Sequence, residues 1–196
     1  CGIINTSSPE WGNRIRPEIL DPREARYLTQ RVDMGCNEDL LVVSVYAPAE
    51  SPATSKKFFT KIEKMVRKIR LERKKRGKEK TLHIVIGGDF NAPTGVSAED
   101  PPYRREKEAE LKKFMNSLGL VDAFQLTHPG KETFTYASTL RKDGGNTGAR
   151  SRIDHFLVSE KIKDRIKMEV MEENLELSSD HRPIVLDIQI LTKRED

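Results

Sequence analysis

The chain has 196 residues, of which 34% are charged and 36% hydrophobic, a balance typical of one soluble domain with a sizeable core. No apolar run approaches the length of a membrane span, and the formal net charge of +4 is compatible with a polyanionic partner without requiring one. Its two cysteines, Cys1 and Cys36, cannot form a disulfide framework. We therefore expect a reducing, intracellular compartment, with the nucleus among the candidates.

Three strands and a helix are predicted in the first part of the chain. Residues 2–5 and 27–32 are candidate strands, and residues 40–46 form the clearest buried strand because they are β-branched and end at Ala47-Pro48. A helix then follows from a cap at Thr54 or Ser55, with apolar residues at helical spacing up to Ile69.

The second part of the chain mixes strands with one further long helix. A strand is predicted at 82–87, and Pro101-Pro102 precedes a helix that contains Leu111 and Phe114 and stops at Gly119. The remaining predicted strands are 133–136, 153–158, 167–171 and 184–190. Many strands with two long helices indicate a layered α+β sandwich rather than a strict βαβ alternation.

Three polar segments, at 88–91, 151–155 and 178–183, each adjoin a predicted strand. They contain carboxylates, an amide and imidazoles. A fold that gathers such groups at strand ends builds a site, and these groups favour a divalent metal and a phosphate as its ligands.

The first polar segment contains Asp89 and Asn91, which point to the same side if the segment is extended. A carboxylate can bind a hard metal or orient water, and an amide can hold a phosphate oxygen. The alternative is an ordinary exit from a strand into a turn, since Gly, Asp and Asn are turn-forming residues. Taken alone, this segment does not decide between the two.

The other two segments pair acids with histidines. Asp154 lies between apolar residues of a strand, so it needs a partner to offset desolvation, and His181 is the natural candidate. His181 follows Asp180; taken alone, such a pair favours a capped loop with a solvated histidine. The remaining histidines are interpreted as structural or without acidic neighbours: His155, His83 and His128.

In this order, and preceded by Val45-Tyr46-Ala47-Pro48, the three segments resemble the endonuclease/exonuclease/phosphatase superfamily. The sequence of residues 152–159 is most similar to the nucleases of this superfamily, such as apurinic-site and LINE-type retrotransposon endonucleases. The resemblance implies a four-layer α/β sandwich and magnesium-dependent phosphodiester hydrolysis, with Mn²⁺ as a second candidate ion. It also implies that residues 1–196 are one domain that lacks the family's first strand-helix-strand unit.

Carried over residue by residue, the resemblance implies specific roles. Asp89 would orient or deprotonate the attacking water, and Tyr46 would contact the phosphate. His181 would stabilise the developing phosphoryl charge. The supporting residues implied are Asn91 beside Asp89, Asp154 orienting His181, and Asp180 near the metal.

Two departures from the family pattern affect these expectations. The family's principal glutamate ligand would lie upstream of Cys1, so we expect weak metal binding and incomplete activity from this fragment. Ala49 stands where nucleases of the family often have asparagine. The parent protein is expected to be retroelement-like, with a covalently linked reverse transcriptase.

DNA is the expected partner, with no membrane contact. The basic run between Lys56 and Lys80 is interpreted as the solvated face of a helix. The basic loop before Asp154 is the better candidate for DNA phosphates, through Arg141, Lys142, Arg150 and Arg152. Two other functions stay open: a phosphatase of inositol or lipid phosphates, and a degenerate domain that only binds nucleic acid.

Overall fold

The computed structural model describes residues 15–17, 26–75, 77, 80–138, 150–171 and 179–190. The predicted strand at 2–5 and most of the basic loop lie outside these ranges. None of the described helices is both long enough and apolar enough to cross a membrane.

The described residues form ten strands, three α-helices and one 3-10 helix. In chain order these elements are β1 (Ile15–Pro17), β2 (Tyr27–Gly35), β3 (Glu38–Tyr46), α1 (Pro52–Lys75), β4 (Thr81–Asp89), α2 (Pro102–Leu118), β5 (Leu120–Asp122), α3 (Ala123–Thr127), β6 (Tyr136–Ala137), β7 (Arg150–Ser151), β8 (Asp154–Ser159), a 3-10 helix (Glu160–Arg165), β9 (Ile166–Val170) and β10 (Ile184–Ile188).

A mixed six-stranded sheet is the centre of the fold, with strand order β1-β2-β3-β4-β8-β5. The β3–β4 pair is parallel, and β8 runs antiparallel to both β4 and β5. Two small antiparallel sheets accompany it, β9 with β10 and β6 with β7. This arrangement confirms the α+β prediction.

The two faces of the central sheet are covered by different elements. On one face, α1 and α2 pack with Leu41 and Ile84 of the sheet, and Phe59 stacks on Phe114 with ring centroids 5.1 Å apart. On the other face, Val85 packs with α3 and the β9–β10 sheet. Alternate residues of the central strands therefore enter two cores, which explains why β3 reads as a continuous apolar run.

The start of α1 corrects the predicted cap. The helix begins at Pro52, and Ser51 rather than Thr54 or Ser55 precedes it. The Thr54 backbone N–H donates to Ser51 Oγ at 3.2 Å, while the Ser51 N–H donates to Thr54 Oγ1 at 3.0 Å. This reciprocal pair satisfies N–H groups that have no partner inside the helix.

The far end of α1 corrects a second expectation, because its basic run is not wholly solvated. Arg73 is buried, and its Nη1 lies 2.5 Å from Asp39 Oδ2. His83 is likewise buried 3.0 Å from Glu38 Oε1, so the prediction that it has no acidic neighbour is wrong. The predicted strand at 133–136 is also shorter, since pairing starts only at Tyr136.

Gly88 sits where a side chain has no room, and this gives a first testable prediction. Its φ is +135°, and an added Cβ would lie 2.1 Å from the Val45 carbonyl oxygen on the neighbouring strand. We expect Gly88→Ala to lower the free energy of unfolding by about 3 kcal/mol, measured by urea denaturation.

Gly95 provides the matched control for this substitution. It also has a positive φ, +74°, but no atom lies within 4 Å of an added Cβ. Gly95→Ala should therefore cost only the left-handed strain, about 1 kcal/mol. Equal losses of unfolding free energy in the two variants would show that the close approach to the Val45 carbonyl adds no cost.

Candidate active site

Three residues predicted for the site lie side by side across the central sheet. Tyr46 at the end of β3 is the register partner of Asp89 at the end of β4. Asp89 is in turn the partner of Asp154, the first residue of β8. Because directly paired residues project to the same face, the Tyr46, Asp89 and Asp154 side chains form a row at this edge.

His181 joins the row through Asp154. Its Nδ1 lies 2.9 Å from Asp154 Oδ2, so the N–H donates to the carboxylate. A β-bridge to Tyr136 holds the His181 backbone, and the two rings lie 5.1 Å apart. The carboxylate fixes the ring orientation and directs Nε2 away from itself. The structure thus brings together the pair that the sequence predicts.

Asn91 reaches Asp89 by a turn rather than by an extended segment. The β4 strand ends at Asp89, and Asn91 adopts φ +45°, a conformation that Asn tolerates better than most residues. Its backbone N–H donates to Asp89 Oδ1 at 2.7 Å, and its Nδ2 donates to Asp89 Oδ2 at 3.0 Å and to the Ala47 carbonyl at 2.9 Å. The predicted proximity is correct, but the same-side argument behind it is wrong.

The electrostatics of the row favour a basic carboxylate at Asp89. Burial raises the pKa of Asp89, the hydrogen bond from the Asn91 backbone opposes this, and the nearby Asp154 charge raises the pKa further. The net direction is upward. A carboxylate with a raised pKa accepts a proton more readily, which suits a general base.

Thr135 holds Asp154 in place and was not identified from the sequence. Its fully buried Oγ1 accepts hydrogen bonds from the backbone N–H groups of Ile153, at 3.1 Å, and Asp154, at 3.0 Å. Its carbonyl accepts from the Arg182 N–H at 2.7 Å. One threonine therefore joins the segments that contain Asp154 and His181. A single threonine in a strand-like pattern gives no sequence signal of this.

Lys107 is a second residue that sequence reasoning missed. Its buried Nζ donates to the Ala49 carbonyl at 2.6 Å and to the Asn91 carbonyl at 3.1 Å. Burial lowers its pKa, while Glu50 and Asp89 act in the opposite direction. The ammonium ties together the two loops that follow β3 and β4. Its place four residues before Leu111, on the apolar stripe of α2, was the available signal.

Comparison with known proteins identifies the architecture. A protein-family model described as "Endonuclease-reverse transcriptase" matches residues 40–185, which include Tyr46, Asp89, Asp154 and His181. The chain belongs to this family. It is thereby a member of the endonuclease/exonuclease/phosphatase superfamily, as its sequence motifs predict.

One curated relative is similar over part of its length. This DNA-(apurinic or apyrimidinic site) endonuclease of Dictyostelium discoideum is 32% identical over 112 residues, 53% of this chain and 31% of the relative. The chain therefore spans about a third of the curated relative that it matches.

Solved structures of superfamily members share the fold. A Neisseria 3′ phosphatase bound to a product DNA hairpin has a TM-score of 0.64 at 20% identity, covering 89% of this chain and 70% of that one. An AP endonuclease of Leishmania major has a TM-score of 0.63 at 16% identity, covering 85% and 55%. The endonuclease domain of TRAS1, a telomere-specific non-LTR retrotransposon, has a TM-score of 0.51 at 20% identity, covering 85% and 65%.

The structure corrects one predicted DNA contact of this superfamily member. Arg152 is only 8% exposed, and its Nη1 lies 2.8 Å from Asp122 Oδ2. It also contacts Thr94 Oγ1, and its guanidinium lies over the Phe124 ring. The prediction that Arg152 binds nucleic acid is wrong because its charge is buried and already paired.

The other predicted DNA contacts stay open. Arg150 is exposed and remains a prediction, whereas Arg141 and Lys142 lie outside the described residues. His155, interpreted as structural, is fully buried, and its Nε2 lies 3.0 Å from the Ala92 carbonyl.

The described carboxylates do not by themselves form a metal site. Within the described ranges, no group of three or more His, Cys, Asp or Glu residues could hold a metal ion. Asp89 already accepts two hydrogen bonds from Asn91, and Asp180 is exposed. The role of Asp180 as a metal ligand stays a prediction.

Proposed function

We propose that the chain is a DNA endonuclease domain that hydrolyses phosphodiester bonds. The observation that carries the proposal is the row Tyr46–Asp89–Asp154 at one sheet edge, with His181 held on Asp154 at 2.9 Å. The attack of water on a phosphate requires a general base and a group that stabilises the phosphoryl charge. A carboxylate and an oriented imidazole at one edge can supply both. The curated relative named as an AP endonuclease supports DNA as the substrate.

Asp89 is the general base in this proposal. Its carboxylate accepts a proton from water as the water oxygen attacks phosphorus, and its raised pKa favours that transfer. Asn91 holds both carboxylate oxygens, so the base keeps one orientation during attack. As the new P–O bond forms, the bond to the leaving oxygen breaks, and that oxygen takes the electron pair.

His181 and Tyr46 act on the phosphate itself. With Nδ1–H donated to Asp154, the Nε2–H of the protonated ring can donate to a phosphoryl oxygen and stabilise its developing charge. The Tyr46 hydroxyl contacts the phosphate from the other end of the row. Tyr46 is 49% exposed, which leaves it accessible to a substrate.

A divalent cation completes the proposal as an expectation from family membership. Mg²⁺, or Mn²⁺ in its place, would supply additional neutralisation of phosphate charge when bound. Asp180 is proposed to lie near it, and further ligands are needed because the described carboxylates do not form a complete set.

The proposed parent is a retroelement-like protein in which the domain is linked to a reverse transcriptase. The description of the matching family, "Endonuclease-reverse transcriptase", supports this. Target DNA reached by such a protein lies in the nucleus, which is the proposed location.

A plasmid-nicking assay tests the proposal. Supercoiled DNA is incubated with the chain and, in parallel, with the longest natural protein that contains it, with Mg²⁺ or with EDTA. We expect Mg²⁺-dependent nicking by the longer protein that Asp89→Asn abolishes. Asp164→Asn changes an exposed aspartate in the 3-10 helix that follows β8; it is the control and should leave nicking unchanged.

Two results would overturn the proposal. Absence of nicking by both proteins in Mg²⁺ and in Mn²⁺ would exclude an endonuclease. Release of inorganic phosphate from inositol phosphates without any action on plasmid DNA would instead assign a phosphatase.

A further inference from the structure

Two arginines share one aromatic ring beside the site. The Arg150 Cζ lies 4.4 Å from the Phe134 ring centroid, and the Arg182 Cζ lies 3.7 Å from the same centroid. Arg150 is exposed, whereas Phe134 and Arg182 are half-buried. We refer to Phe134, Arg150 and Arg182 as the arginine–phenylalanine cluster.

Backbone pairing connects this cluster to the catalytic row. Arg182 directly follows His181, and its N–H donates to the Thr135 carbonyl at 2.7 Å. Arg150 pairs with Ala137 across β6 and β7. Phe134 directly precedes Thr135, whose hydroxyl holds the Asp154 N–H. The cluster and the proposed catalytic residues therefore share one small framework.

The chemistry of the cluster favours an anion. Two guanidinium groups lie against one ring, and a phosphate is attracted to both positive charges. Stacking on an aromatic ring leaves the N–H edge of a guanidinium available for bidentate binding of phosphate. It also reduces the side-chain entropy lost when a ligand binds. Within the described residues, no carboxylate forms an ion pair with Arg150.

The same contacts disfavour a nucleobase as the ligand. The two guanidinium groups lie 4.4 and 3.7 Å from the Phe134 ring centroid, so a base that stacks on this ring competes with them. Backbone phosphate, which needs donors rather than a ring face, is the better fit.

We propose that Arg150 and Arg182, held on Phe134, bind a DNA backbone phosphate that neighbours the scissile one. This inference rests on the proposed endonuclease function, because it places the cleaved strand along β6, β7 and the His181 segment. It makes Phe134 a positioning residue, which acts by arranging the two arginines and does not contact the substrate itself.

The test measures DNA affinity against salt concentration by fluorescence anisotropy with a labelled duplex, in EDTA so that no cleavage occurs. Each phosphate contact contributes about 0.9 to the slope of log K against log salt. We expect the double variant Arg150→Gln/Arg182→Gln to reduce the slope by about that amount and each single variant to reduce it by part of that amount, with a higher KM for cleavage and little change in kcat. Phe134→Leu keeps both charges, so it should weaken binding a few-fold while the slope stays unchanged.

Lys161→Gln is the matched control, since Lys161 is an exposed cation in the 3-10 helix beyond the other end of β8. It should leave slope and affinity as they are. Thermal unfolding shows whether each variant is folded. If Arg182→Gln does not fold, the test rests on Arg150→Gln, because Arg150 is exposed. An unchanged slope for Arg150→Gln in a protein that cleaves DNA would overturn this inference alone. Absence of cleavage by both wild-type proteins of the nicking assay would instead overturn the endonuclease proposal.

Discussion

His181→Ala should reduce kcat for phosphodiester cleavage by about a thousandfold, the scale of losing one donor to a developing oxyanion. The ring is the group that Asp154 orients at 2.9 Å, and alanine removes it. The measurement is single-turnover cleavage of a labelled duplex at saturating enzyme, which reports the chemical step without product release.

Asp154→Asn should lower the same rate through His181. An amide can donate to Nδ1, which favours the tautomer that carries its proton on Nε2. It also lacks the negative charge with which the carboxylate stabilises a protonated ring. Because both residues act through one imidazole, the double variant should be no slower than His181→Ala alone. Losses that multiply would show that Asp154 acts independently, for example on a metal.

His128→Ala provides the matched control for His181→Ala. Its ring stacks on Phe124 with centroids 4.8 Å apart, and it contacts none of the row. Cleavage should be unchanged. A comparable loss in this variant would show that both effects come from destabilisation, which urea denaturation of each variant checks.

Sequence periodicity predicted most of the elements because burial follows period in this chain. Alternate residues of β3 enter the two cores, and Gly119 closes α2 with φ +66° as its position predicts. Element ends were less predictable. The end of α1 depends on Arg73 reaching Asp39, 34 residues away in sequence, and no local pattern encodes such a contact.

The chemical groups of the candidate site were predictable from the sequence, but the residues that hold them in place were not. Asp89, Asp154 and His181 carry chemistry that stands out between apolar runs. Thr135 and Lys107 act through hydrogen bonds to backbone groups of other segments, and the residue type alone does not indicate such contacts. The misassignment of Arg152 has the same origin, because a buried and an exposed arginine look identical in a basic stretch.

Arg152→Met should lower the free energy of unfolding by about 3–5 kcal/mol, the usual loss when one partner of a buried ion pair is removed. Its guanidinium and the Asp122 carboxylate are 7% and 2% exposed. Methionine fills similar volume but leaves Asp122 as a buried charge without its guanidinium. Urea denaturation at neutral pH measures the loss.

The pH dependence of this variant distinguishes a lost charge partner from lost packing. Burial raises the pKa of Asp122, but His155 and Arg152 outweigh this and lower it from 3.8 to about 2. The wild-type protein therefore holds stability from this carboxylate above pH 3.8 and loses roughly 2 kcal/mol as the pH falls to about 2. Without Arg152 the folded pKa rises, so we expect the stability gap between the two proteins to narrow over this window.

Two further variants separate the charge of Asp122 from the packing of Arg152. Asp122→Asn in the Arg152→Met background removes the carboxylate charge and keeps a residue that can cap α3, where Asp122 now accepts the Phe124 N–H at 3.0 Å. It should recover more than half of the lost stability. Arg67→Met breaks an exposed pair with Glu63 and should cost under about 1 kcal/mol. If the double variant recovers nothing, the Arg152 side chain stabilises the fold by packing on Phe124 rather than by neutralising Asp122.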